Sequence, residues 1–182
     1  MRTKLITHFL SLFLFVSSIS FANPKITNDQ DPEKDKVLIS VLNYMLTQGH
    51  YNQKVLNDDF SEMVFNNFIA DLDPSKRYFT KIDIKEFSKY KYQIDNQLKE
   101  SDIAFYSLVY GRFLEKIKNA KNYYNTILKK PFNYKKDEVI DLDFKVIDYA
   151  KTEKELLNFW RKQLKLQTID KIRDQENLDE EE

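Results

Sequence analysis

Apolar positions recur at helical spacing along most of the chain beyond residue 31. Val37, Leu38, Val41, Leu42, Met45 and Leu46 are separated by one, three or four residues, the spacing of an amphipathic helix. Asp31 is placed to cap it, Pro32 suits a first turn where an N–H is not needed, and Gly49 is a natural stop. A second helix is predicted from Asp58 or Asp59, with Glu62 completing a capping box and Phe60, Met63, Val64, Phe68, Ile69 and Leu72 as its apolar line. Asp73-Pro74 ends it, because proline cannot donate to the ladder and pushes the residue before it out of helical geometry.

Thr80 reads as the cap of a third helix, with Asp83 in its first turn and Ile84, Phe87, Ile94 and Leu98 as one buried line. Ser101-Asp102 is predicted to cap a long fourth helix, about 103–129. Its buried face is drawn through Tyr106, Val109, Phe113, Ile117, Ala120, Tyr124 and Ile127. Gly111 in its middle lowers helix propensity and implies a close helix contact. Pro131 breaks the rhythm, and "VIDLDFKVI" within 131–150 alternates like a short strand or an extended arm, two readings that pattern does not separate. Thr152 with Glu155 forms a capping box for a fifth helix carrying Leu156, Phe159, Trp160, Leu164 and Ile169. The end, 174–182, is acidic and nearly devoid of apolar residues, and reads as a disordered tail.

The first 22 residues depart from this pattern. "MRTKLITHFLSLFLFVSSISFA" has basic Arg2 and Lys4, a short apolar run from about Leu5 to Val16, and small residues before Asn23, the layout of a cleaved export signal. A retained N-terminal anchor is the competing reading, against which stands a run well short of the roughly 20 residues a membrane span needs. Residues 23–31 are a polar leader. No later stretch suits a stable membrane span, and an exported chain with no cysteine points to a bacterial periplasm, with stability left to core packing.

Composition narrows the chemistry. With 42% hydrophobic and 32% charged residues the chain suits one globular domain, and its 29 basic and 29 acidic side chains give no excess for nucleic acid. Two glycines, Gly49 and Gly111, cannot build a phosphate-cradling loop. Once the signal is removed, His50 is the one histidine, better read as a neighbour of a helix end than as a metal ligand or base. Ser40, Ser61, Ser75, Ser88, Ser101 and Ser107 lack the glycine-bearing turn of a nucleophile, and capping accounts for Ser61, Ser75 and Ser101. Asp71 and Asp73 form a possible acid–base pair, but Asp73 before Pro74 suits a turn, with Lys76 and Arg77 neutralising the local charge. Tyr90, Tyr92 and Tyr123 fall off the main stripes and could form an exposed contact patch. No catalytic, metal or cofactor site is assigned. The candidate positions are a structural joint of Leu72, Asp73, Pro74, Tyr78, Phe79 and Thr80, with Phe113, Phe159 and Trp160 as packing anchors.

Three blocks, "LDPSKRYFTKIDIKEF", "SDIAFYSLVYGRFLEKI" and "KTEKELLNFWRKQLK", occur in an order that resembles the N-terminal helical region of tail-specific, or carboxy-terminal processing, proteases. The resemblance covers most of residues 33–170. It implies a periplasmic setting, and as partners a PDZ domain that captures substrate C-termini and a core with catalytic serine and lysine, both falling beyond Glu182. The expectation is therefore a mainly α fold, about five helices in an irregular domain at 32–173 with one extended arm or short strand near 131–150. Its expected role is a non-catalytic scaffold or docking module, on a truncated or split chain, that meets the PDZ and protease parts in cis or from a split gene and docks an adaptor or polypeptide substrate. A free-standing periplasmic helical adaptor or binding protein is the alternative.

Overall fold

Six α-helices account for most of residues 31–181, the part that the computed structural model describes, and no sheet forms among them. The expected signal at 1–22 and nearly all of the leader at 23–31 lie outside the described residues. Helix α1, Pro32–Tyr44, passes into a π turn at Met45–Gly49. Its half-buried inner line is Asp35, Ile39, Asn43 and Leu46, and the line predicted as buried faces out instead: Val37, Leu38, Val41, Leu42 and Met45 are 44–60% exposed.

Helix α2 covers Asp58–Leu72. Its cap is Asn57, whose side chain accepts from the Phe60 N–H at 3.0 Å, and Glu62 forms no capping box; it pairs with Lys91 at 2.8 Å. The predicted third helix is two elements, α3 at Lys81–Phe87 and α4 at Ile94–Glu100, divided by a 3-10 turn at Ser88–Tyr90. The turn bonds Lys91 N to Ser88 O and Gln93 N to Tyr90 O tighten the chain there, so Ile94 and Leu98 are buried along a new direction. This break is why there are six helices and not five. α1 packs against α4, and so does α2.

Helix α5, Ala104–Ile127, does not take Ser101 as its cap. Ser101, in left-handed geometry at φ 56°, ends α4, while Asp102 and Gln97 accept from the Ala104 and Phe105 amides at 3.1 and 3.0 Å. Val109 and Ala120 are buried, but Ile117, predicted on the same face, lies outward, and Tyr106 and Tyr124 stay partly exposed with their rings against Phe68 at 5.9 Å and Trp160 at 5.0 Å. Gly111 is exposed, and no heavy atom lies within 4 Å of where its Cβ would be, so the expected close contact is absent within the described residues.

Residues 131–150 form the extended arm. A single parallel bridge joins Ala150 to Thr80, and no strand develops. Helix α6, Glu153–Glu181, opens with the Glu155 N–H bonded to the Thr152 hydroxyl at 3.2 Å; the Glu155 carboxylate reaches Lys151 N at 2.8 Å, one residue earlier than a standard box. The helix continues through the stretch expected to be a disordered tail, because neither glycine nor proline interrupts it and its glutamates and glutamine favour the helix.

The core has two parts. Phe65, Ile69, Phe79, Phe87, Ile94, Phe105 and Val109 form one, and Ala120, Leu156 and Trp160 form the other. Every buried side-chain nitrogen or oxygen among the described residues has a hydrogen-bond partner.

Candidate functional site

The segment between α2 and α3 links the two parts of the core. Leu72 closes α2 half-buried, and Asp73 follows with its N–H still bonded to Ile69 O at 3.0 Å. Pro74, exposed, prevents continuation. The chain then turns back, with Lys76 N bonded to Asp73 O at 3.1 Å and Lys76 itself at φ 48°, a left-handed conformation that a residue with a Cβ adopts only under local constraint.

That constraint is Asp73. Its carboxylate is 1% exposed and accepts three consecutive amides: Arg77 N at 2.8 Å on Oδ1, Tyr78 N at 3.0 Å and Phe79 N at 2.9 Å on Oδ2. Burial pushes its pKa above the usual carboxylate range, and the three amides and the Arg77 charge oppose that only in part. Asp71 stays exposed on α2, so the two carboxylates do not face one another as an acid–base pair.

Tyr78 and Phe79, adjacent in the chain, send their side chains into different parts of the core. Phe79, fully buried, enters the first part of the core, edge-on to Phe87 at 5.2 Å. Tyr78 enters the second, edge-on to Trp160 at 5.9 Å and to Phe113 at 5.3 Å. The Trp160 indole N–H donates to Arg77 O at 2.7 Å, fixing α6 to the joint. Phe113 is half-buried between the two tyrosine and phenylalanine rings. Phe159, also half-buried, meets the arm through Phe144, 6.5 Å away and edge-on.

Thr80 then caps α3 with a full capping box, its amide and hydroxyl donating to Asp83 at 2.8 and 2.7 Å, and Lys81 N bonds to Ala150 O at 2.8 Å. Asp83, 2% exposed, also carries an ion-pair network missed by sequence reading. Arg112 contacts it, Lys116 lies 3.0 Å from it, and Lys116 and the Tyr123 hydroxyl both donate to Glu153. Burial alone would raise the Asp83 pKa; bonds from Thr80, Lys116 and Arg112 outweigh it and hold it low. Arg112 and Lys116, at helical spacing on α5, were the available signal for such a network.

A second missed cluster holds the arm. Glu138, its side chain 9% exposed, takes Arg161 at 3.0 Å and Lys165 and Lys136 at 3.1 Å each, and these bonds, the Arg161 pair first, hold its pKa well below normal. Lys162 donates to Val139 O at 2.8 Å. Farther along, Lys76 donates to Ile147 O and Lys81 pairs with Asp148. The pKa of the half-buried Tyr149 hydroxyl is pushed up to about 12 by desolvation and by the charges of Asp73 and Asp148. The three tyrosines expected to form a patch are not brought together: Tyr90 packs near Phe105, Tyr123 binds Glu153, and Tyr92 alone is exposed. Ser61 is not a cap; it is buried and ties α2 to Asp95 on α4, donating at 2.8 Å and accepting the Asp95 N–H at 2.9 Å.

Chemically, these groups hold backbone and each other. Among the described residues no three of His, Cys, Asp and Glu gather to hold a metal, and no helix is long and apolar enough to cross a membrane. A family model described as "Tail specific protease N-terminal domain" matches residues 41–182. A relative from Haemophilus influenzae, named a tail-specific protease, is 29% identical over 131 residues, covering 71% of this chain and 19% of the relative. The chain thus spans about a fifth of that protein's length.

Proposed function

The chain belongs to the tail-specific protease N-terminal domain family, and on that premise we propose that it is a non-catalytic scaffold and docking module of a periplasmic tail-specific serine protease. PDZ and serine–lysine protease segments, in cis or on a separate chain, supply substrate capture and peptide-bond cleavage. The helical domain holds them in register and presents a surface to an adaptor or polypeptide substrate.

One observation carries this reading. The apolar line of α1, Val37 through Met45, faces away from its own domain, in a run from Val37 to Gln53 that contains no Asp, Glu, Lys or Arg. Contiguous exposed apolar surface of this kind marks an interaction site. The buried carboxylates favour the same role, since Asp73 and Asp83 are taken up by backbone amides and cations that hold the fold.

The test mixes the full chain with a separately produced PDZ–protease polypeptide from a tail-specific protease whose own N-terminal helical domain has been removed. The chain alone should leave an unstructured polypeptide intact, and the mixture should form a complex that cleaves it faster than the protease segment alone. Cleavage by the chain alone, abolished by a point substitution, would make it an enzyme in its own right. Absence of any complex would refute the scaffold reading and favour a free-standing adaptor.

A further inference from the structure

Helix α5 has an outer face that its own domain engages only in part, at Tyr124, whose ring lies edge-on to Trp160 at 5.0 Å. Tyr110, Leu114, Ile117, Lys121, Tyr124 and Leu128 follow one another at intervals of four, three, four, three and four, the seven-residue repeat of a helix-pairing seam. Tyr110 is half-buried, and Leu114, Ile117, Tyr124 and Leu128 are 38–58% exposed. Over the 18 residue steps from 110 to 128 the line extends roughly 27 Å at the helical rise. That geometry fits a second helix lying alongside.

Gly111 borders this line and adds an independent observation. A glycine in the middle of a 24-residue helix weakens it, and among the described residues no atom approaches the position closely enough to require one. A partner helix crossing near Ser107 and Gly111 would supply the close approach that the isolated fold lacks.

Charge identifies the kind of partner. Lys118, Lys121 and Lys129 lie on or beside the line, all exposed and none in an ion pair among the described residues, whereas the nearby Glu115 faces Arg112 at 3.5 Å. A second copy laid on the same face would bring these lysines together. We propose that the outer face of α5 is a docking surface for an acidic amphipathic helix of a partner polypeptide. The apolar line of that helix packs on Leu114 and Ile117, and its carboxylates face the lysines.

The proposal is tested by fluorescence anisotropy on the full chain with two synthetic helices sharing leucines at seam positions, one flanked by glutamates and the other by lysines. The acidic helix should bind at least tenfold more tightly and weaken with added salt. Ile117→Asp, at an exposed position, should reduce binding by tenfold or more, and Lys118→Glu with Lys121→Glu should reverse the preference, with circular dichroism confirming that each variant is folded. Equal binding of the two helices, no binding, or an unchanged preference in the charge-reversed chain overturns it. Sedimentation showing that the chain pairs with itself through α5, lost in Ile117→Asp, would name a second copy as the occupant and also overturn it. None of these outcomes depends on complex formation with a PDZ–protease polypeptide, so the two readings stand or fall separately.

Discussion

Asp73 shows how one buried carboxylate can determine the path of a loop. Two oxygens meet three amides, so Asp73→Asn replaces one acceptor with an NH2 facing a donor and should cost about 2–3 kcal/mol by urea denaturation. The pH dependence has a definite sign. Because the folded-state pKa is raised, the folded form holds the proton more tightly than the unfolded chain. The Asp73 contribution is full below the ordinary value of 3.8 and falls as pH rises through the raised pKa. The stability difference between the natural chain and Asp73→Asn should therefore be largest in acid and shrink toward neutrality; growth with pH would contradict this. Gly111→Ala carries the opposite sign. With open space around the position, it should stabilise the chain alone by about 0.5–1 kcal/mol, read as a rise in Tm.

At the scale of elements, the joint was legible and the arm was only half so. The proline stop, the threonine restart and the Thr152 cap are local rules, and α2, α3 and α6 start or end where those rules place them. Which face turns inward is a tertiary question. The apolar residues of α1 and α5 are broad enough to serve two faces, so spacing names Val37 and Ile117 as buried where the structure turns them out. The attachment of the arm was not readable, because Glu138 meets Arg161 and Lys165 across more than 20 residues. Glu138→Gln should loosen that attachment. Limited proteolysis should then cut within 134–143 sooner, while the helices keep their circular dichroism. The natural chain should show the same loosening in acid, since a lowered carboxylate pKa means the attachment is present above the ordinary range and lost as pH falls through the lowered value. Unchanged cleavage in the variant would mean that Lys162 and the neighbouring backbone contacts suffice.

For the whole molecule, the joint and the ion-pair network tie together the two parts of the core, and among the described residues the apolar lines of α1 and α5 are largely exposed. Successive side chains Tyr78 and Phe79 enter different parts of the core, so the joint couples them. In the proposed readings α1 is the face for the protease parts and α5 the face for an acidic helix. Hydrogen exchange, followed on the full chain alone and with the PDZ–protease polypeptide, tests that account most directly. The account predicts slow exchange at the amides of Arg77, Tyr78 and Phe79 in both samples, and fast exchange along α1 that slows several-fold when the partner is added. Unchanged exchange along α1 at saturating partner, or a joint that exchanges as fast as the arm, would contradict it.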